Sequence, residues 1–247
     1  MRKRTWTIIF SMLFICNLVA CGTTETSEPS SPEEQVEEKK VLRVGTSGIY
    51  PPFGYLGEEG EMVGYEVDIF EAIGEELGFE VEWTIAEFAG LFGMLDSGRI
   101  DTIANLIVAT EERLEKYDFT EPHAYSGAML VVREDCDDIR SLEDLKGKRL
   151  GTLLGSNYHQ DIQKWNEENG NEIEIVPYQD LAGTYEEVAL GRIDAFIDAW
   201  IAADLRIKQE GLPLKLFDDE PLYYVEHAFP FVRNEENKQF IERYNEV

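Results

Sequence analysis

Residues 64–85 read GYEVDIFEAIGEELGFEVEWTI, and two different periodicities meet in this stretch. From Tyr65 to Leu77, apolar side chains recur every three or four residues, which predicts an amphipathic helix. Gly78 is a suitable helix stop, because glycine readily adopts the left-handed conformation that ends helices. From Phe79 to Ile85, apolar and polar residues alternate, which predicts a β-strand. A helix that leads directly into a strand is typical of an α/β fold.

The sequence on both sides continues the alternation of strands and helices. Leu42 and Val44 alternate with polar residues and predict a strand before the helix. Leu91–Leu95 predicts a second, short helix, and Ile100–Ala104 predicts a buried strand. The order β-α-β-α-β over residues 41–104 predicts a parallel sheet covered by helices.

A second set of strands and helices follows this first set. Polar caps and turn residues separate its apolar runs, so each run is read as one element. The predicted strands are Ala128–Val132, Leu150–Leu154, Ile173–Ile175, Ala195–Ile197, Leu214–Phe217 and a return strand Val225–Val232. The predicted helices begin with a capping box at Ser141–Asp144 and continue with Tyr158–Glu168, Thr184–Gly191, Trp200–Gln209 and a last helix carrying Phe240 and Tyr244.

One four-residue motif occurs in both sets. Gly-Arg-Ile-Asp at residues 98–101 recurs at residues 191–194, and each copy follows a predicted helix and opens an apolar strand. Two halves with the same local plan predict two similar lobes, each a mainly parallel sheet with helices on both faces.

Composition excludes one class of function. The chain has 247 residues, of which 43% are hydrophobic, so it is long enough to bury a core. Its formal net charge of -28 repels nucleic acid, and no basic stripe is present to bind a phosphate backbone. We interpret the acidic excess as a solvated surface that favours solubility.

The first twenty residues predict export. Arg2 to Arg4 form a basic start, and Trp6 to Cys16 form an apolar run that is too short to span a membrane. Leu-Val-Ala then precedes Cys21, the pattern of a bacterial lipobox. This predicts a signal peptide over residues 1–20 and a lipid on Cys21 that tethers the protein extracytoplasmically to the cell membrane. The alternative is an ordinary signal peptide with a chance cysteine.

Residues 21–40 are rich in Ser, Thr, Pro and Glu, so they predict a flexible linker rather than part of a core. The fold should begin near Val41. The remaining cysteines, Cys16 and Cys136, form no disulfide or metal pattern. The sequence contains no Ser-His-Asp set, metal cluster or phosphate loop, and we therefore expect neither a cofactor nor a metal.

Ligands of open α/β sheets bind beyond the carboxyl ends of the strands. In the first lobe these ends carry Ser47 and Asn105, and in the second they carry Ser156, Asn157 and Asp198. Short polar side chains on loops suit a small-molecule site. The alternative is ordinary turn chemistry, since Ser, Asn and Asp are common wherever strands end.

Arg113 is a candidate anion ligand. It lies in the first turn of a helix that Thr110 is predicted to cap, beside unpaired backbone N–H groups, and its planar fork can bind a carboxylate at two points. The alternative is a solvated surface arginine balanced by its acidic neighbours. Tyr50 and Phe88 follow strands and could pack against an apolar part of the ligand, or they could belong to the core.

Several motifs, taken in order, resemble the polar amino-acid binding proteins of ABC importers, the family 3 solute-binding proteins. The resemblance covers about residues 41–247. It implies the type II periplasmic-binding-protein fold, with two lobes joined by two hinge strands: lobe 1 at 41–126 plus 225–247, and lobe 2 at 127–224. The motifs are Val44–Phe53, Gly64–Gly78, Asp101–Asn105, Thr110–Pro122, Leu145–Gly151 and Gly191–Ala195.

The resemblance also implies roles for individual residues. Arg113 would hold the ligand carboxylate, Tyr50 and Phe88 would flank the ligand side chain, and the segment Gly155–Asn157 would offer backbone N–H and hydroxyl groups to the same carboxylate. Leu106, beside Asn105, is included in the expected site. Ile103–Asn105 looks most like the cystine-binding branch. The implied partners are an amino acid or related carboxylate and a membrane permease, with the binding protein itself a monomer.

Three positions depart from the family pattern. The family usually has Asp at Ser47 and Ser or Thr at Val108, and its amine-binding Asp falls at Ala199, one residue after Asp198. These groups normally meet an ammonium, and an amine buried without acceptors costs about 1–3 kcal/mol. Either Asp198 replaces the missing carboxylate, or the ligand lacks an ordinary α-amine.

Two other functions remain open at the level of sequence. An enzyme on the same scaffold, such as a cyclohexadienyl or prephenate-type dehydratase, would need an acid or base in the cleft, and Asp198, His123 and His159 are its candidates. A sensory receptor would usually be fused to a membrane span. The family also usually has a further helix after the point where this chain stops, so we expect the chain to be truncated at its C-terminus. We expect a binding protein and not an enzyme.

Overall fold

A computed structural model describes residues 40–218 and 220–247. The predicted signal peptide, the lipidation site Cys21 and the predicted linker up to residue 39 lie outside the described residues. Within the part that the structure describes, no helix is both long enough and apolar enough to cross a membrane.

The elements follow one another as short strands and helices throughout. The strands are β1 (Lys40–Thr46), β2 (Ile49–Tyr50), β3 (Gly54–Leu56), β4 (Met62–Val63), β5 (Phe79–Ile85), β6 (Thr102–Ile103), β7 (Tyr117–Phe119), β8 (Ala124–Arg133), β9 (Arg149–Leu153), β10 (Glu174–Tyr178), β11 (Ala195–Ala199), β12 (Leu214–Leu216), β13 (Tyr223–His227) and β14 (Pro230–Val232). The helices are α1 (Tyr65–Leu77), α2 (Phe88–Asp96), α3 (Glu111–Lys116), α4 (Asn157–Glu168), α5 (Ala182–Ala189), α6 (Trp200–Glu210) and α7 (Glu235–Glu246), with a 3-10 turn at Glu143–Leu145.

The helix and the strand predicted within residues 64–85 are confirmed to the residue. Helix α1 and strand β5 have the predicted bounds, and Gly78 between them ends the helix at φ 76°. The buried face of α1 carries Val67, Phe70 and Ile73, and Phe70 and Ile73 pack with Leu42 and Val44 of the first sheet. Hydrophobic periodicity was sufficient here because one face of each element is buried.

Two sheets share the same local order of strands. In the first, β5-β1-β6 are all parallel, and in the second, β10-β9-β11 are parallel in the equivalent order. The second sheet is mixed, because the long strand β8 joins it antiparallel to β11 and also pairs with β12 and β13. The two-lobed α/β architecture is therefore as predicted.

The repeated Gly-Arg-Ile-Asp motif performs the same task in both sheets. The carboxylate of Asp101 accepts from the backbone N–H of Arg43 at 2.8 Å, and that of Asp194 accepts from the backbone N–H of Arg149 at 2.7 Å. In each case the aspartate N–H donates back to the same arginine carbonyl, at 2.7 and 2.9 Å. Each motif thus ties the third strand of its sheet to the first.

The predicted return strand Val225–Val232 is wrong as a single strand. It breaks after His227, because the chain changes partner there: β13 pairs with β8, whereas β14 pairs with β7. The two intervening N–H groups bond elsewhere, Ala228 to the Ile107 carbonyl at 3.0 Å and Phe229 to Thr120 Oγ1 at 3.0 Å.

Two shorter predictions are also corrected. The strand predicted at Ile100–Ala104 pairs only at Thr102 and Ile103, because Asp101 and its neighbours form the tie described above. The capping box predicted at Ser141 does not form. The Asp144 carboxylate instead accepts from the Arg140 N–H at 3.0 Å and the Ser141 hydroxyl at 3.1 Å, outside an α-helix.

Helix α1 should depend on its preceding glycine. Gly64 has φ 127°, and a Cβ there would lie 2.5 Å from the Phe53 carbonyl oxygen. We expect Gly64→Ala to lower the free energy of unfolding by about 2 kcal/mol, because both the backbone strain and the clash act on rigid main chain. Denaturant titration will measure this change.

Gly93→Ala in α2 is the matched control: a Cβ there meets nothing within 4 Å, so stability should stay equal or rise by about 0.5–1 kcal/mol. An equal loss in both variants would contradict the argument.

Candidate functional site

The carboxyl ends of the first sheet bring Ser47 and Asn105 together. The Ser47 N–H donates to Asn105 Oδ1 at 2.7 Å, and the Thr46 hydroxyl lies 3.5 Å from the same oxygen. The side chain of Asn105 is buried, and the Ser47 hydroxyl is buried with no hydrogen-bond partner in the described structure. Adjacent parallel strands end at the same edge, which is why two residues 58 positions apart meet here.

Gly155 and Ser156 lie between β9 and α4, and Asn157 is the first residue of α4. Ser156 is the N-cap of α4: its hydroxyl accepts from the His159 N–H at 3.1 Å and donates to the Leu153 carbonyl at 2.7 Å. Gly155 has φ 82°, a conformation that side chains other than glycine rarely adopt. The start of this helix therefore faces the edge where the strands end.

A small cavity lies between the two sheets. Its volume is about 40 Å³, whereas sites for small ligands typically span about 300–1,000 Å³. The cavity is therefore smaller than a typical small-ligand site. Most of the predicted site residues line it, namely Tyr50, Phe88, Asn105, Leu106, Ser156, Asn157 and Asp198.

Phe88 lines this cavity and also two further pockets. One, of about 240 Å³, is lined by Ser47, Asn105 and Phe88, and the other, of about 260 Å³, is lined by Arg113, Gly155 and Phe88. Arg113 and Asp198 therefore face different compartments. Val108 lines neither pocket; it contributes its backbone carbonyl, as described next.

The guanidinium of Arg113 is buried and bonded to both halves of the protein. Nη1 donates to the Val108 carbonyl at 2.9 Å, and Nη2 donates to the Gly155 carbonyl at 3.2 Å. The predicted cap is present, because the Thr110 hydroxyl accepts from the Arg113 N–H at 3.3 Å. Burial lowers the pKa of Arg113 to about 10, so the group remains cationic at neutral pH. Its Cζ lies 4.6 Å from the centroid of the Phe92 ring, which adds a cation–π contact.

The carboxylate of Asp198 is fully enclosed and accepts three hydrogen bonds. Oδ1 accepts from the Tyr50 hydroxyl at 2.6 Å and from the Ala199 N–H at 2.7 Å, and Oδ2 accepts from the Tyr185 hydroxyl at 2.7 Å. Burial raises the pKa of Asp198, and the tyrosine hydrogen bonds oppose that rise. Burial also raises the pKa of Tyr50, and the negative charge of Asp198 adds to the effect.

Asp198 thus occupies the cleft although Ala199 stands where the family has its aspartate. Tyr50 belongs to the chain before the first helix, whereas Tyr185 and Asp198 belong to the second sheet and its helices. The Tyr50 hydroxyl therefore joins the two halves through this carboxylate. The guanidinium of Arg206 lies over the ring of Tyr185, with its Cζ 4.8 Å from the ring centroid.

Sequence reasoning missed Glu66, Tyr185 and His227 around this site. His227 lines the cavity, Tyr185 bonds to Asp198, and the Glu66 carboxylate bonds to the backbone of Leu106, which also lines the cavity. One signal could have revealed Glu66. It lies four residues before Phe70 on the apolar face of α1, where a carboxylate is unexpected.

The two histidines proposed for an enzyme lie apart from Asp198. His123 Nε2 bonds to Glu66 Oε1 at 3.1 Å, and its ring stacks on Phe229 with centroids 4.0 Å apart. His159 Nδ1 lies 2.7 Å from Thr152 Oγ1, and neither histidine lines the cavity.

Comparison with known proteins gives a consistent result. Residues 42–246 match the family model of bacterial extracellular solute-binding proteins, family 3. The probable amino-acid-binding protein YxeM of Bacillus subtilis (strain 168) is 36% identical over 247 residues, covering 100% of this chain and 89% of that protein. The putative amino-acid ABC transporter-binding protein PatH of Vibrio harveyi is 40% identical over 204 residues, covering 83% and 80% of the two chains. Among solved structures, a putative L-cystine ABC transporter from Listeria monocytogenes aligns with a TM-score of 0.78 at 28% identity, covering 84% of this chain and 88% of that chain.

Proposed function

The chain belongs to the bacterial extracellular solute-binding proteins of family 3, and we propose that it captures an amino acid between its two lobes for an ABC importer. Its relatives are named as binding proteins, and the chain is a binding protein rather than an enzyme. The Vibrio harveyi relative, named as a transporter-binding protein, supports an ABC permease as the membrane partner.

One observation carries the proposal. A buried guanidinium and a buried carboxylate, those of Arg113 and Asp198, line two pockets that both include Phe88. An amino acid presents an α-carboxylate and an α-ammonium, which are complementary to these two groups. Each protein group also contacts both halves of the molecule, so a ligand bound to both would favour closure.

We propose that lobe 1 comprises residues 41–126 plus 225–247 and that lobe 2 comprises residues 127–224. The paired strands β8 and β13 would serve as the hinges, since they run antiparallel beside each other where the chain passes between the two sheets. The small volume of the cavity supports hinge opening as the route of entry.

The nature of the ligand follows from Asp198. Because this carboxylate is in the cleft one residue before the family position, it can replace the missing acceptor, and we propose an ordinary α-amino acid. L-Cystine is the first candidate, since the segment ending at Asn105 resembles the cystine-binding branch and the Listeria monocytogenes structure is titled as a putative L-cystine transporter.

Thermal unfolding of residues 22–247 against a ligand panel tests the proposal. The panel contains L-cystine, the common amino acids, amine-free carboxylic acids and prephenate. A true ligand at a hundredfold excess over its Kd stabilises the folded state by about 2.7 kcal/mol and raises the Tm. We expect an amino acid to give this shift. A shift with amine-free acids alone would sink the α-amino acid assignment, and conversion of prephenate to product would establish the enzyme instead.

We also propose that Cys21 carries the lipid anchor, on the strength of the Leu-Val-Ala-Cys pattern. Mass spectrometry of the full chain expressed in a bacterium will detect a diacylglyceryl group on Cys21. Unmodified Cys21 in a cleaved or uncleaved chain would contradict the anchor without affecting the ligand assignment.

A further inference from the structure

The backbone of Leu106 has an unusual conformation at the edge of the cleft. Its φ of 52° lies in the left-handed region, which a leucine rarely adopts. Leu106 and the preceding Asn105 both line the cavity, so the direction of this turn decides which groups face the ligand. A conformation of this kind persists only where the surroundings hold it in place.

Glu66 holds the N–H side of Leu106. Both carboxylate oxygens accept from the Leu106 N–H, at 3.0 and 3.1 Å, and Oε1 also accepts from His123 Nε2 at 3.1 Å. The Glu66 side chain has no solvent exposure and does not line the cavity. A buried carboxylate is costly unless it is fully bonded, and its bonds here go to one peptide and one histidine.

His227 holds the carbonyl side of Leu106. The ring lies with Nδ1 at 2.8 Å from the Leu106 carbonyl oxygen and Nε2 at 2.7 Å from Ser126 Oγ. A carbonyl only accepts, so Nδ1 carries the proton and Nε2 accepts from the serine hydroxyl. Ser126 and His227 lie on β8 and β13, the two strands proposed as hinges.

We infer that Glu66 and His227 are positioning residues, which together clamp Leu106 in its left-handed turn and so orient the Asn105–Leu106 segment toward the ligand. This inference rests on the proposed function, because it takes the cleft to be the ligand site. Without the clamp, Leu106 relaxes to negative φ, the adjoining peptides rotate, and the Asn105 side chain is drawn away from the Ser47 N–H.

A glycine substitution separates positioning from general structural support. Glycine adopts positive φ without steric cost, so Leu106→Gly removes the backbone strain that the clamp opposes and keeps the left-handed turn accessible. If Glu66 acts by holding the turn, Leu106→Gly should restore affinity in a chain with a weakened clamp. If Glu66 is only part of the core, adding Leu106→Gly should lower the affinity further.

The experiment compares Glu66→Gln, Leu106→Gly and the double variant of the folded domain, with Glu71→Gln as the control on the exposed face of α1. The probe is L-cystine, or the panel compound that most stabilises the wild type, and calorimetry gives the Kd. We expect Glu66→Gln to weaken binding about tenfold, because one acceptor of the Leu106 N–H is lost, and the double variant to recover about threefold or more. Equal Kd values for Glu66→Gln and Glu71→Gln, or a double variant weaker than Glu66→Gln, would overturn the inference.

Amide hydrogen exchange at Leu106 gives a readout that needs no ligand. We expect exchange of this amide to become about tenfold faster in Glu66→Gln and to stay unchanged in Glu71→Gln. His227→Gln provides a second route if Glu66→Gln does not fold. If no panel compound binds the wild type, the proposed function fails, whereas unchanged exchange at Leu106 in both clamp variants is a failure of the clamp itself.

Discussion

Replacing Arg113 with alanine is expected to weaken amino-acid binding by about 100-fold or more. Removing one partner of a buried charge pair costs about 2–5 kcal/mol, and each 1.4 kcal/mol corresponds to a factor of ten. The guanidinium is buried, stays cationic, and donates to the carbonyls of Val108 and Gly155, which belong to different halves of the protein. Isothermal titration of the variant against the amino acid that stabilises the wild type will measure the loss.

Two further variants sharpen this prediction. Arg113→Lys keeps the charge but loses the planar fork, so we expect an intermediate loss of about tenfold. Arg99→Ala removes an exposed arginine whose side chain bonds to its neighbour Ser97, and the Kd of this variant should match that of the wild type. Nearly intact binding by Arg113→Ala would show that the carboxylate clamp has been assigned to the wrong residue.

His227 is expected to make the protein less stable in mild acid. The pKa of this imidazole is lowered from 6.5 to about 4, chiefly by burial; the hydrogen bond to the Leu106 carbonyl opposes the shift, and the nearby His123 contributes to it. Between these pH values the unfolded chain binds a proton on this ring that the folded protein does not. The stability contributed by the neutral ring is therefore complete above pH 6.5 and is lost as the pH falls through about 4.

The size of this effect follows from the shift. Each pKa unit corresponds to about 1.4 kcal/mol, so the wild type should lose about 2.5 kcal/mol more than His227→Gln between pH 7.5 and pH 4.5. Denaturant unfolding at both pH values gives the two differences, and carboxylates common to both chains cancel in the comparison.

His159→Gln is the control for the pH measurement. Burial lowers the pKa of His159 as well, but its ring is only partly buried, so this variant should keep most of the wild-type pH dependence. The same pH dependence in His227→Gln and in the wild type would mean that the pKa of His227 is not lowered in the folded protein. Nε2 would then carry a proton in mild acid and donate to Ser126, instead of accepting from it.

Elements with one buried face could be predicted well from sequence alone. Helix α1 and strand β5 match their predicted bounds because apolar spacing follows directly from the geometry of an amphipathic helix and a half-buried strand. The strand at Val225–Val232 was predicted less well. Its break at His227 depends on which strand lies alongside, and local spacing contains no record of a change of partner.

The candidate site, like the fold, could be predicted only in part from the sequence. The rule that ligands bind beyond strand ends placed Ser47, Asn105, Ser156 and Asp198 near one another, and the structure brings them to the edge between the two sheets. Whether they bind the ligand is a prediction for the variants above to test. Glu66 was missed because the group that it bonds, the backbone N–H of Leu106, lies 40 residues away in the chain.

The sequence by itself determined the class of fold, the family and the residue types available for binding, because these depend on local periodicity and on short motifs in a recognisable order. Only the tertiary structure decided which polar groups meet: that Tyr50 and Tyr185 enclose Asp198, that Arg113 contacts Gly155, and that Glu66 bonds to Leu106. The reason is physical. A buried polar group must find a partner, and the partner it finds is set by how distant segments pack, which no stretch of neighbouring residues can specify.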